Sequence, residues 1–377
     1  MHRFHGGLQR SGSLRRALLC VFALLPAGPL SAQSKTRNVI LITLDGARTQ
    51  EIFGGLDLAV LKSTARDGKV EDTPTYRKYW APTPHERREK LLPFLWTTLL
   101  VREGSIAGNA QLGSLVRVTN THRFSYPGYS EILTGEARDD LIRSNAKKLN
   151  PSPTVLEVLR AKLALDAQRV VAFASWDVLD AIVMHTEGSI TSNAGYERYE
   201  TSDPALARLS EAQSLAPSPW DTVRHDYYTF QFAADAIRRN KPRVVYIGLG
   251  ETDDWAHDGR YDMVLEALHR ADQFLRELWN LLAADASYRG TTTVLLTTDH
   301  GRGNTPSDWQ DHGEHVEGAQ YIWIACFSPD SSLRGEWVNA PAVEQSQIAA
   351  TLCEFLGVNY SEVQPRAGKP IARFFDN

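Results

Sequence analysis

Residues 38–44, 243–249 and 291–298 are dense in aliphatic and β-branched side chains, and each run stops at an acid: Asp45, Glu251 with Asp253, and Asp299. Near-continuous apolar runs of this length are what strands look like when a sheet is covered on both faces. A fourth run, 169–174, has the same character. Between them, 154–163 and 263–282 repeat apolar residues at spacings of three and four, which predicts amphipathic helices. Strands alternating with helices predict an α/β fold around a central, mainly parallel sheet. Such sheets bind ligands beyond the carboxyl ends of their strands, where all three acidic clusters fall.

Two stretches break the alternation. Residues 57–89 are rich in charge and proline, and 188–220 in Ser, Ala and Pro. Both are expected to be insertions over the strand ends, where lids and substrate contacts arise. With 42% hydrophobic and 23% charged residues, the 377-residue chain can bury a sizeable core and lacks the signature of disorder. A net charge of -4 leaves no basic excess to recruit nucleic acid or anionic membrane. An anionic substrate must then be attracted locally, which bound cations can do.

The amino terminus is expected to be processed. Arg10, Arg15 and Arg16 precede an apolar run at 17–25, and Pro26, Gly28, Pro29, Ser31 and Ala32 follow. That order is a secretory signal, and the run is too short to span a bilayer. Residues 1–32 are therefore read as a signal peptide, leaving an exported protein without a transmembrane anchor and one mature domain at 36–377. Periplasm and external medium both fit, and the Arg15-Arg16 pair also fits a twin-arginine route. Cys20 leaves with the signal. Cys326 and Cys353 are expected to be buried small hydrophobes, with a disulfide between them open to an oxidising compartment. No cysteine cluster suggests a thiolate metal site.

The acids acquire meaning together with histidines. Asp253 and His257 are four apart, so a helical turn puts both on one face. Asp299 and His300 follow a strand directly, with Gly301 and Gly303 to turn the chain. Asp45 precedes Gly46, and His312 lies in a loop with His315 as competitor. Each alone has a plain explanation as a cap, a surface charge or a loop histidine. Three Asp and three His at one sheet edge, however, call for a positive partner. Carboxylate and imidazole suit Zn²⁺, and two such ions about 4 Å apart are a recurring solution for displacement at phosphorus.

The ordered set Asp45-Gly, Ser125-Tyr-Pro-Gly, Asp253-x-x-x-His257, Asp299-His300-Gly and His312-Gly resembles the alkaline phosphatase superfamily, in particular its branch of type I phosphodiesterases and nucleotide pyrophosphatases. The likeness runs from Asn38 to the C-terminus, with 347–357 similar to the helix after the last metal ligand. It implies an α/β/α sandwich with cap insertions and an enzyme that hydrolyses phosphate mono- or diesters of small molecules or headgroups. It further implies that Asp253, His257 and His312 hold one zinc and that Asp45, Asp299 and His300 hold the other. Ser125 matches the nucleophile at the head of the branch's Thr-Phe-Pro-Asn motif, and would also ligate the second zinc and form a phosphoseryl intermediate. Ser130 is the fallback. Asn145, by its position after Ser125, is a candidate donor to the phosphoryl oxygens.

Departures from the pattern narrow the reading. Sulfatases of the superfamily carry an arginine where this chain has Tyr129, so a formylglycine nucleophile is disfavoured. A phosphotransferase or mutase would pass the phosphoseryl group to an acceptor alcohol instead of water, and a catalytically silent protein would keep the metals only to bind anions. Trp176 and Trp255 are read either as packing or as surfaces for a leaving group to stack on.

Overall fold

The apolar runs become the middle of a sheet in the computed structural model, which describes residues 1–7, 34–65 and 69–376. From residue 8 onward, the expected signal segment lies outside the described residues. Residues from Ser34 to the C-terminus form one unit.

Eleven strands occur among the described residues: β1 (Asn38–Leu44), β2 (Gly104–Ala107), β3 (Val116–Arg117), β4 (Val170–Ala174), β5 (Thr191–Ala194), β6 (Val244–Leu249), β7 (Thr292–Thr297), β8 (Tyr321–Ile322), β9 (Ile324–Phe327), β10 (Gly335–Glu336) and β11 (Val343–Glu344). Eight form one sheet in the order β10-β2-β9-β7-β1-β6-β4-β5, and β11-β3-β8 form a small second sheet. In the large sheet β1 runs parallel to both β6 and β7. Only β9 opposes its neighbours, β7 and β2. The sheet is mainly parallel, as the sequence predicts.

Alternation along the central strands splits the core in two. Ile40, Ile42 and Leu44 of β1, with Ile247 and Leu296, join a cluster completed by Phe230, Leu268 and Leu278 from helices Asp226–Asn240 and Tyr261–Ala284. Val39 and Leu41, with Tyr246 and Leu295, face a second cluster, which includes Ile132, Leu159 and Leu352 from helices Ser125–Thr134, Val155–Lys162 and Ile348–Phe355. A period of two sends neighbouring side chains to opposite faces, so helices cover both. The result is a three-layer α/β/α sandwich.

Residues 57–89 carry helices Leu58–Thr64 and Pro74–Tyr79 and the start of Pro84–Leu91, and send Val60, Leu61 and Tyr79 into the first cluster. Within 188–220 lie helix Pro204–Leu215 and β5, which is the edge of the sheet rather than a loop above it. Cys326 and Cys353 are buried in the second cluster and unpaired. Among the described residues no helix is long and apolar enough to cross a membrane.

Candidate metal centre

Because β6, β1 and β7 are adjacent and parallel, whatever follows each of them meets at one edge. Asp45 follows β1, its N–H bonded to the carbonyl of Leu249. Gly46 then turns with φ 57°, and a β-carbon there would strike the Asp253 carboxylate. After β6, helix Glu251–His257 brings Asp253 and His257 together, with Oδ2 and Nε2 3.1 Å apart. After β7 come Asp299 and His300, both fully buried. The loop beyond them folds back, with the Gly303 N–H on the carbonyl of Asp311, and delivers His312. His312 Nε2 lies 3.1 Å from His257 Nε2, and its ring centroid 4.1 Å from that of His300. His315 is exposed and joins neither group.

Two sets of ligand atoms result: Asp253, His257 and His312, and Asp45, Asp253 and His300, each with all atoms within 4.8 Å of one another. The first is the trio expected for one ion. In the second Asp253 stands beside Asp45 and His300, while Asp299 adjoins through Oδ2, 3.4 Å from His300 Nε2. Asp45 Oδ1 and Asp253 Oδ1 lie 3.5 and 3.7 Å from the same nitrogen.

The electrostatics of this cluster fit bound cations. Asp45 Oδ1 and Asp299 Oδ2 are buried without any hydrogen-bond donor. Burial, reinforced by the neighbouring acids, raises Asp45 well above the usual carboxylate range and pushes Asp299 up to about 8. Burial acts in the same direction on Asp253, but Arg302 and the nearby histidines outweigh it and hold this acid well below that range. Burial also lowers His300 strongly and brings His312 down to about 4, so both are neutral and able to ligate at pH 7. His300 Nδ1 lies 2.9 Å from the carbonyl of Gly301, which places the proton on Nδ1 and turns the Nε2 lone pair toward the acids. Nitrogen and oxygen donors so arranged suit a divalent cation.

Ser125 opens helix Ser125–Thr134, buried, with Oγ 3.5 Å from His300 Nε2. At this helix start the Gly128 N–H bonds to the carbonyl of Phe124 and Pro127 has no N–H. Gly128 lets the helix approach, since a β-carbon would collide with the carbonyl of Asp299. Asn145 is exposed, and its Oδ1 accepts from the N–H of Tyr126, next to Ser125. Ser130 faces Asn150 instead. Tyr129, noticed in the sequence only as the absence of an arginine, donates its hydroxyl to Asp45 Oδ2 at 2.9 Å. Its spacing of four from Ser125 on one helix was the available signal. Arg302, unremarked in the sequence, pairs with Asp253. Trp255 belongs to the first core cluster, against Trp220, and Trp176 is half-buried.

The model of the type I phosphodiesterase / nucleotide pyrophosphatase family matches residues 131–343, more than half of the 377-residue chain. No curated protein matches the sequence. Among solved structures, wild-type alkaline phosphatase PafA is similar with a TM-score of 0.60 at 11% identity, covering 91% of this chain and 99% of its own. Phosphonate monoester hydrolase SpPMH from Silicibacter pomeroyi reaches 0.51 at 13%, covering 90% and 76%. Lipoteichoic acid synthase LtaP from Listeria monocytogenes reaches 0.51 at 12%, covering 85% and 72%. At such identities these three likenesses establish a common fold.

Proposed function

We infer the chemistry from a plain premise: the chain belongs to the type I phosphodiesterase / nucleotide pyrophosphatase family, and is a phosphoester hydrolase. In our reading Ser125 is the nucleophile, and the phosphoryl group passes through a covalent phosphoserine before reaching water. The observation that carries this is the position of Ser125 Oγ at a helix start, 3.5 Å from a histidine set among three buried acids.

Two divalent cations, zinc by the character of the donors, would be held by Asp253, His257 and His312 and by Asp45, Asp299, His300 and Ser125, supplying the charge that makes a serine hydroxyl nucleophilic at neutral pH. Ser125 gives up its hydroxyl proton as Oγ attacks phosphorus, the bond to the leaving oxygen breaks, and the departing alcohol takes up a proton. Water then attacks the phosphoserine, the Ser125 Oγ–P bond breaks, and the serine regains its proton. Asn145 has its oxygen held by the Tyr126 amide, so its Nδ2 hydrogens remain to donate to a phosphoryl oxygen. Tyr129 hydrogen-bonds to Asp45 where a sulfatase would place an arginine, which favours phosphate over formylglycine-dependent sulfate chemistry.

The substrate is taken to be a small-molecule or headgroup phosphate ester. Export rests on the order of residues in 1–32. The test is turnover of aryl phosphate mono- and diesters by the mature protein, with and without chelator. Metal-dependent hydrolysis of at least one is expected, with a loss of at least about 10³-fold in Ser125→Ala. Full activity in that variant would remove Ser125 from its role, and no metal-dependent turnover would remove the mechanism.

A further inference from the structure

We infer that Arg302 is a positioning residue that assembles the Asp253–His257–His312 group by tying two of its ligands together; the inference rests on the metal-binding reading above. The Arg302 side chain is 1% exposed. Its Nη2 pairs with Asp253 Oδ1 and also donates to the Asp253 backbone carbonyl at 3.1 Å. Its Nη1 donates to the carbonyl of Gln310, two residues before His312. Its Nε lies against Gly46, where a β-carbon would come within 2.8 Å. One guanidinium thus joins helix Glu251–His257 to the loop that delivers His312.

Two consequences follow for the first group. With Oδ1 of Asp253 engaged by Arg302, Oδ2 is the oxygen turned toward His257. With Gln310 fastened to the same guanidinium, the His312 ring is carried to within 3.1 Å of His257. The other acids are anchored without Arg302: Tyr129 holds Asp45, and the Gly46 amide holds Asp299. Losing Arg302 should therefore loosen the first group, where the anchors of both Asp253 and His312 go, more than the second, which Asp253 adjoins through Oδ1 while Asp45 and Asp299 keep their own anchors. Lysine cannot replace it, because an ammonium lacks the planar fork that serves a carboxylate and two carbonyls at once.

The experiment titrates the full-length wild type, Arg302→Lys and Arg302→Gln with zinc against a chromophoric chelator, and counts bound metal after equilibrium dialysis. Wild type is expected to hold two zinc ions. Arg302→Lys should hold one with wild-type affinity and the second about 10- to 100-fold more weakly, the range usual for a lost partner of a ligand. Melting of the metal-free protein should fall, because the buried Asp253 carboxylate loses its partner. The readout that separates positioning from a purely structural role is the weakening of one zinc beside a second held with wild-type affinity. Two zinc ions held with wild-type affinity in both variants would overturn the inference. So would equal weakening of both sites, or loss of fold in both variants. Wild type that binds no zinc would instead overturn the metal-binding reading, and that shows in the wild-type arm alone.

Discussion

Each acid of the cluster gives one oxygen to the protein and directs the other toward the histidines. Tyr129, the Gly46 amide and Arg302 take one oxygen each from Asp45, Asp299 and Asp253. Tyr129→Phe should release Asp45 and weaken zinc binding about 10- to 100-fold while the helix stays packed; chelator competition measures it, and unchanged affinity would refute the role. Gly128→Ala acts by a different route. Its methyl would press on the Asp299 carbonyl and should cost about 1–3 kcal/mol in urea unfolding. The acids and histidines of the cluster were legible because their types and order survive in one dimension. Tyr129 and Arg302 were not, because their partners lie 84 and 49 residues away and only folding makes them neighbours.

Helix Glu251–His257 has only seven residues, so its neighbours must hold it in place. Asp226, at the start of helix Asp226–Asn240, accepts from the amides of Gly250 at 2.8 Å and Glu251 at 3.2 Å. Glu251 returns the contact, accepting from the Asp226 amide while pairing with His225 and Arg270. Burial would raise Glu251, but these two partners bring it down to about 2, so it stays ionised. Asp226→Ala leaves two buried amides without an acceptor. The expected loss is about 1–3 kcal/mol in urea unfolding, with weaker zinc binding as Asp253 and His257 shift; wild-type zinc affinity would separate this cap from the metal centre. The central strands were legible to within a residue or two, and so were the helices after β6 and before β4, because full burial leaves an unbroken apolar or helical pattern. The strands β2 and β5 were not, since Gly-Ser-Ile-Ala and Thr-Ser-Asn-Ala are too short and too poor in apolar residues to give a period to read.

At the scale of the molecule, the order β6-β1-β7 decides that three acids meet, and strand order is not written in hydrophobic periodicity. The acids were expected at one sheet edge from the strand ends alone, with no strand order assigned. Bringing the acids together has a pH signature in protein stripped of metal. A carboxyl whose folded value is raised favours folding below its ordinary range near pH 4, and that contribution is lost as pH climbs through the folded value. Asp299 is pushed up to about 8 by burial and by Asp253, and Asp45 is raised as well. His312, lowered to about 4 by burial, works in the opposite sense: its contribution is complete above about pH 6.5 and fades only as pH falls. Between pH 6.5 and 8 His312 adds nothing, and Asp299 by itself should remove about 1–2 kcal/mol from the stripped protein. Asp254, raised to about 8 by burial and Asp253, and Asp226, raised to about 7 by burial and Glu251, act in the same sense. Bound zinc displaces the protons of Asp45 and Asp299 and abolishes their share of the loss. The melting temperature should thus fall from pH 6.5 to 8 more steeply in excess chelator than with zinc, so that the gap between the two widens. A gap that stays constant across this window would mean that Asp45 and Asp299 do not face the metal.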